Sequence, residues 1–311
     1  MATPISLDSQ SLSSALKYLW GQYRTWDLTS VSLKSKLTRV RDIILVLSVG
    51  GAILGTLSQQ VLVWNWPGWS GKTLGILSAA ALGLAAFFTK EALSPDPDAR
   101  AVKTRAAAEA FKRESYLLAT SVPPYATVTS TDQLLDKARQ IRVGVDSIAP
   151  AIITPEQEAE GMPATAMSVD DYIKQRVDQQ VNEYYLPQAR INTNKLALGR
   201  RISFVLGAIA VLLGLWTASR PESSVAGWVA VIGTITAAIA ARQYANRYQF
   251  LIVSYQATAD RLKWLKTKWE IEGRNQPGDD AKNAFILSIE DAIATENSAW
   301  MAEWTKKQGE K

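Results

Sequence analysis

Ser48, Gly51, Gly55 and Ser58 follow one another at spacings of three, four and three, which keeps them on one face of a helix. Gly207, Ala210, Gly214 and Thr217 repeat the pattern later in the chain. A stripe of small, weakly polar side chains can do two things. It lets a second helix backbone come close, or, in an assembly, it walls a path for ions whose hydration it partly replaces. Close packing is the plainer reading and the ion path the sharper one. The candidate pore-lining set is Ser48, Gly51, Gly55, Ser58, Gln59, Gly207, Gly214 and Thr217. Gln59, Gln60 and Asn65 suit an entrance or, preferably, plain contact with interfacial water. Gly75, Ala79 and Gly83, and Gly233, Ala237 and Ala241, have small-xxx-small spacing and read as contact faces. Asp42, Glu91 and Glu222 border apolar runs, and rings of such acids in an oligomer would favour cations.

Bond-making chemistry finds little support. The chain has neither His nor Cys, so it lacks the commonest general base, the commonest metal ligand and any thiol nucleophile. Gly71-Lys72-Thr73 looks like the end of a phosphate-binding loop, but the glycine that motif needs five residues earlier is Trp66. No nucleophile–base pair, metal cluster or Gly-rich nucleotide loop stands out. We therefore expect no catalytic, cofactor-binding or metal site and no enzyme activity. The net charge of +5 is modest and implies no nucleic-acid partner.

The elements that must carry these residues are set by uncharged runs. Asp, Glu, Lys and Arg are absent from residues 43–71, 73–89, 202–219 and 223–241. A bilayer core takes about 20 apolar residues of helix, so each run can supply one span, at about 43–63, 73–90, 202–219 and 225–242. The fold class is an all-α membrane protein: four transmembrane helices as two tandem hairpins, with long cytoplasmic helices forming a bundle. Fourteen Lys and Arg residues flank the spans on the sides away from the hairpin turns, among them Lys36, Arg41, Lys90, Arg200, Arg201 and Arg242, and the two turns hold only Lys72 and Arg220. That bias puts both turns outside and both termini in the cytoplasm, in a plasma (inner) membrane. Trp64, Trp66, Trp69, Trp216 and Trp228 lie at the turns, at the level indole rings prefer. The polar N-terminus lacks a secretory pattern, so the first run is expected as a retained anchor.

The hairpins look like copies in the same orientation. A shift of 159 residues aligns Leu37 with Leu196, Arg41 with Arg200, Gly55 with Gly214 and Trp69 with Trp228. The expected organisation is a first unit over 1–121, a linker over 122–167 with a short helix near 132–143, and a second unit over 168–311. Asp96-Pro97 reads as a helix start, Ser168 with Asp171 as a capping box, and Pro187 as a kink or break. Tyr244, Tyr248, Leu251, Tyr255, Thr258, Leu262, Leu265 and Trp269 form a heptad stripe, expected to pack within the chain. A last helix, about 281–306, places Phe285, Ile289, Ile293, Trp300 and Trp304 near one face.

Three features carry a family resemblance: the hairpins with basic inner edges, the segment Tyr255-Gln256-Ala257-Thr258-Ala259-Asp260-Arg261-Leu262-Lys263, and the end segment running from Ile289-Glu290-Asp291 to Glu296-Asn297-Ser298-Ala299-Trp300. On these the chain resembles the SLATT family, two-span membrane domains associated with nucleotide-second-messenger and SLOG systems. The resemblance is best over 180–304, with a weaker copy over 15–120 through Ala108-Glu109-Ala110-Phe111-Lys112-Arg113-Glu114. It implies a pore-forming effector. The expected function is a homo-oligomeric pore or ion channel, cations being the favoured ions, gated through the cytoplasmic helices. Its partners would be the lipid bilayer, further copies of itself, ions and an unidentified cytoplasmic regulator. The alternative is a non-conducting membrane scaffold or adaptor that recruits a cytoplasmic partner.

Overall fold

A computed structural model describes residues 9–92, 95–126, 131–220, 225–274, 276 and 278–305. Among them every regular element is a helix. In chain order these are α1 (Ser9–Val63), α2 (Gly68–Ala92), α3 (Pro95–Ala119), α4 (Thr131–Val143), α5 (Pro155–Ala159), α6 (Val169–Tyr172), α7 (Leu186–Ser219), α8 (Ala226–Ala245), α9 (Tyr248–Lys268) and α10 (Asp279–Thr305). Four helices are long and apolar enough to cross a membrane.

Two compact units emerge, and neither follows the order of the chain. The membrane unit holds Lys36–Ser94 and Arg190–Ile252, and so contains both hairpins. The polar unit gathers the remaining helices: α1 up to Ser35, Pro95–Ala189, and the chain from Val253. The grouping is spatial and cuts across both sequence units, 1–121 and 168–311, each of which contributes a hairpin to one and polar helices to the other. α1 does not stop at the membrane edge. Its polar first half and its apolar second half form one helix of 55 residues.

Helix ends follow local chemistry. α1 closes with Asn65 at φ 54°, the Trp66 N–H bonding to Val61 O at 3.0 Å and the Asn65 N–H to Leu62 O at 3.3 Å. This left-handed cap satisfies carbonyls that the helix leaves open. α3 starts at Pro95, so Asp96 and Pro97 fall in its first turn. Ser168 caps α6, accepting from the Asp171 N–H at 3.1 Å. Pro187 does not end its helix. Two π-helical stretches, Ile173–Asp178 and Gln180–Tyr185, directly precede α7, so the helical path runs from Val169 to Ser219. Their wider turns relieve the clash a proline ring makes with the carbonyl four residues back.

The expected linker contains α4 as anticipated and α5 in addition, and it is tied down. Ala151 N–H bonds to Thr29 Oγ1 at 2.8 Å, Trp20 Nε1 to Glu160 O at 3.0 Å and Met167 N–H to Ala119 O at 2.8 Å. The heptad stripe is buried from Tyr248 to Leu265 and packs within the chain. Tyr244 is excluded, 70 % exposed, because Arg247 at φ 49° breaks the backbone between α8 and α9. α10 buries Phe285, Ile286, Ile289, Ile293 and Trp300, chiefly against α3. The side chain of Trp304 lies outside the described residues.

Two interactions tie the polar unit across its helices. An aromatic chain runs from Trp20 to Tyr116, Tyr172 and Phe285 in edge contacts of 6.0, 5.8 and 6.4 Å between ring centroids, and ends with Phe285 stacked on Trp269 at 4.9 Å. Beside it Arg176 meets Glu290 in a fork, Nε to Oε1 and Nη2 to Oε2, both at 2.9 Å, with the two side chains 1 % and 0 % exposed. The Tyr172 hydroxyl donates a third bond to Glu290 Oε1 at 2.9 Å. Removing one partner strands a buried charge, a loss of about 3–5 kcal/mol. Arg176→Met therefore lowers unfolding stability by about that much, and adding Glu290→Met recovers most of it; thermal unfolding of the detergent-solubilised protein checks both.

Candidate functional site

In the membrane unit the two small-residue stripes have different surroundings. The first is packed. A Cβ added at Gly51 would lie 2.8 Å from Leu82 Cδ2, and one at Gly55 would lie 2.9 Å from Ser78 Oγ. Ser58 Oγ donates to Gly71 O at 2.8 Å, and Ser78 Oγ donates to Gly51 O at 2.7 Å. Small residues at the crossing of α1 and α2 thus admit two serine-to-carbonyl bonds, which tie the helices where no water competes. Gly75 joins this face, where an added Cβ would lie 3.2 Å from Ser58 Oγ, whereas one at Gly83 would meet no described atom within 4 Å. The second stripe is open. Around Gly207 and Gly214 no atom stands within 4 Å of an added Cβ, and the Thr217 hydroxyl turns back to Leu213 O at 2.8 Å. Gly233 is equally open. The structure thus brings Gly51, Gly55 and Ser58 together with α2 and leaves open space at the Cβ positions of Gly207 and Gly214 among the described residues.

The remaining candidates sit at the ends of the spans. Ser48 lines a cleft with Thr89 and Ala241. Gln59 is exposed and Gln60 buried. Asp42 pairs with Arg242 at 2.5 Å, and Arg41 Nη1 donates to Asn246 Oδ1 at 3.4 Å. The edge acid at 42 is therefore neutralised within the chain. Glu91 belongs to α2 but its side chain lies outside the described residues, as does Glu222 altogether. The tryptophans at the turns are exposed, Trp64, Trp66, Trp69 and Trp216 each by more than half.

The polar unit holds a charge cluster that sequence reading missed. Arg176 Nη1 stands 3.8 Å from Glu109 Oε2, on the far side of its fork with Glu290. The guanidinium of Arg105 lies between the rings of Tyr184 and Trp300, 5.1 Å from each centroid. Lys112 sits over Tyr23 at 5.0 Å, and Arg113 bonds Asp291 at 2.6 Å. Burial alone would raise the Glu109 carboxyl, but Lys112, Arg176 and Arg105 outweigh it and hold the acid below its usual range. Glu296 goes the other way. Its burial pushes the carboxyl up, and Arg105 only partly offsets this. Lys112 is pushed down, by burial first and then by Arg176. A cleft of about 230 Å³ opens onto Glu109, Arg113, Arg176, Glu290 and Asn297. Among the described residues no group of His, Cys, Asp and Glu is arranged to hold a metal ion. A sequence signal did exist. Glu109, Lys112, Glu290 and Glu296 lie inside the segments that carry the family resemblance, and Glu290 interrupts an apolar face.

Comparison with known families gives two separate matches along the chain. Residues 172–300 match the family model described as SMODS and SLOG-associating 2TM effector domain 1. Residues 24–133 match a different model, Protein of unknown function (DUF4231). The two hairpins thus fall under two models, not under one repeated model. No curated protein and no solved structure matches the chain at comparable significance.

The unequal surroundings of the stripes have a direct test. Gly51→Leu forces Leu82 aside and destabilises by about 1–3 kcal/mol, the usual result of overpacking, whereas Gly207→Leu leaves thermal stability in detergent unchanged. Glu296 gives a pH signature. A carboxyl whose folded pKa is raised contributes stability at low pH and loses it as pH rises through the folded value. Glu296→Gln is therefore expected to stabilise the protein at pH 7, with no effect below about pH 4, where the acid is protonated in both states; unfolding midpoints across that range measure it.

Proposed function

We propose that this chain is a membrane effector that works as a homo-oligomeric pore, opened through its polar helical unit. The observation that carries the reading is how little of the spans one chain covers. In the most apolar 18-residue windows the buried share is 6 %, 17 %, 0 % and 11 %, lowest in the helix that carries Gly207 and Gly214. A small-residue face with no partner among the described residues is suited to line an open path between subunits around an axis. The effector description of the model that matches residues 172–300 supports the same class. Hydroxyl oxygens of Ser48 and Thr217, with no cationic side chain inside the spans, suit small cations. The Lys and Arg bias favours both termini on the cytoplasmic side. Control through the polar unit is favoured by chain continuity, since α1 contains residues of both units without a break.

The chain has no cysteine, so single cysteines report accessibility without background. The purified full chain in liposomes is expected to conduct K⁺. A cationic thiosulfonate reagent is expected to cut that flux severalfold in Gly207→Cys and Gly214→Cys, and to leave Gly51→Cys unaffected because its site is packed against Leu82. Vesicles that stay sealed under every voltage, lipid and cytoplasmic extract tested would overturn the pore and leave the scaffold reading.

A further inference from the structure

One groove in the membrane unit is not used by the reading above. It holds about 630 Å³ between α1, α7 and α8, within the range of roughly 300–1,000 Å³ typical of small-molecule sites. Its walls are apolar: Val46, Val49 and Gly50 from α1, Leu198 and Ile202 from α7, and Ile239 from α8. Gly50 keeps it open, since nothing stands within 4 Å of where its Cβ would be. The polar lining residues are Lys195, Arg242, Gln243 and Tyr248.

The places of these residues along the chain give the polar end its depth. Arg242 is the first charge after the fourth uncharged run, and Lys195 precedes the third run by seven residues, about 10 Å of helix. The cations therefore lie at headgroup level while the walls lie in hydrocarbon. Lys195 is exposed, and Arg242 gives one nitrogen to Asp42, leaving other N–H groups of its fork to donate. Arg41, one residue from Asp42, adds a further positive charge at this edge. Tyr248 OH accepts from Asn246 Nδ2 at 3.2 Å and retains its own proton to give. An apolar trough that ends in cations and neutral donors complements one kind of molecule: an acyl chain attached to an anionic phosphate. Basic pockets between spans bind acidic lipid headgroups in this way.

We propose that this groove is a binding site for an anionic phospholipid, with an acyl chain along Val46, Gly50 and Ile202 and its phosphate at Lys195 and Arg242. The proposal holds whether or not the chain conducts. The test is native mass spectrometry of the full chain after exposure to equal amounts of dioleoyl phosphatidylglycerol and dioleoyl phosphatidylcholine in detergent. The wild type is expected to retain the glycerol lipid roughly tenfold over the choline lipid. Gly50→Leu, which fills open space, and Val46→Trp, which narrows the trough from an exposed position, should each abolish retention. Lys195→Gln should keep lipid but lose most of the preference. Equal retention of the two lipids by the wild type overturns the proposal, and so does undiminished retention in both groove-filled variants. A change of subunit number in those variants also overturns it, because the occupant is then a second copy of the chain.

Discussion

A peptide group in hydrocarbon has to find its hydrogen bond inside its own helix or pay several kcal/mol. Most of this structure follows from that constraint. It makes helices of the four uncharged runs and confines non-helical backbone to short turns such as Trp64–Pro67. It does not, however, require a helix to end where the hydrocarbon does. Residues 36–42 contain neither glycine nor proline, and nothing there stops α1. The helix from Val169 to Ser219 likewise runs on, its proline absorbed by π-helical turns. Residues buried in the polar unit and residues in the membrane unit therefore share unbroken helices: Trp20 and Gly51 on one, Arg176 and Gly207 on the other.

The polar unit puts a second constraint on those helices. Burying Arg176 with Glu290 returns little net stability against an apolar core, because desolvation offsets most of the attraction. Its geometry is nonetheless demanding. Glu290 receives three bonds, two from one guanidinium plane, and the ring of Tyr116 lies 5.1 Å from that guanidinium. A slip of one turn between the helices would leave both charges without partners, so the pair fixes the register of Arg176 against α10. The neighbouring groups are balanced less well. Glu109 is held ionised by three cations, while Glu296 is not. The cluster thus contains one firmly set pair and one acid whose charge works against burial.

Much of the architecture was legible in the sequence because membrane helices are marked by what they lack. Four runs without charge, a heptad stripe from Tyr248 to Leu265 and the Ser168 cap each correspond to an observed element. The helix that leads into the first span continues through the basic membrane edge without a break, as lysine and arginine, good helix formers, allow. The buried charge cluster was not legible. A charged residue on a mostly apolar face looks like a solvated edge until its partner is known, and Arg176 finds Glu290, and Arg105 the ring of Trp300, more than a hundred residues away.

The stripes show where sequence symmetry stops predicting structure. Both hairpins have a long helix leading to a short turn, a second span and a further helix. In the first, Ser58 and Ser78 each find a carbonyl across the crossing, so glycine there serves contact. In the second, the position equivalent to Ser58 is Thr217, whose hydroxyl bonds its own helix. Among the described residues nothing stands within 4 Å of an added Cβ at Gly207 or Gly214. Glycine within a helix costs roughly 0.5–1 kcal/mol relative to alanine. An open glycine face in a span is therefore unfavourable in the isolated chain, and becomes useful once another helix or a column of water and ions approaches it. That difference also accords with the two halves matching two family models, only one of which is described as an effector.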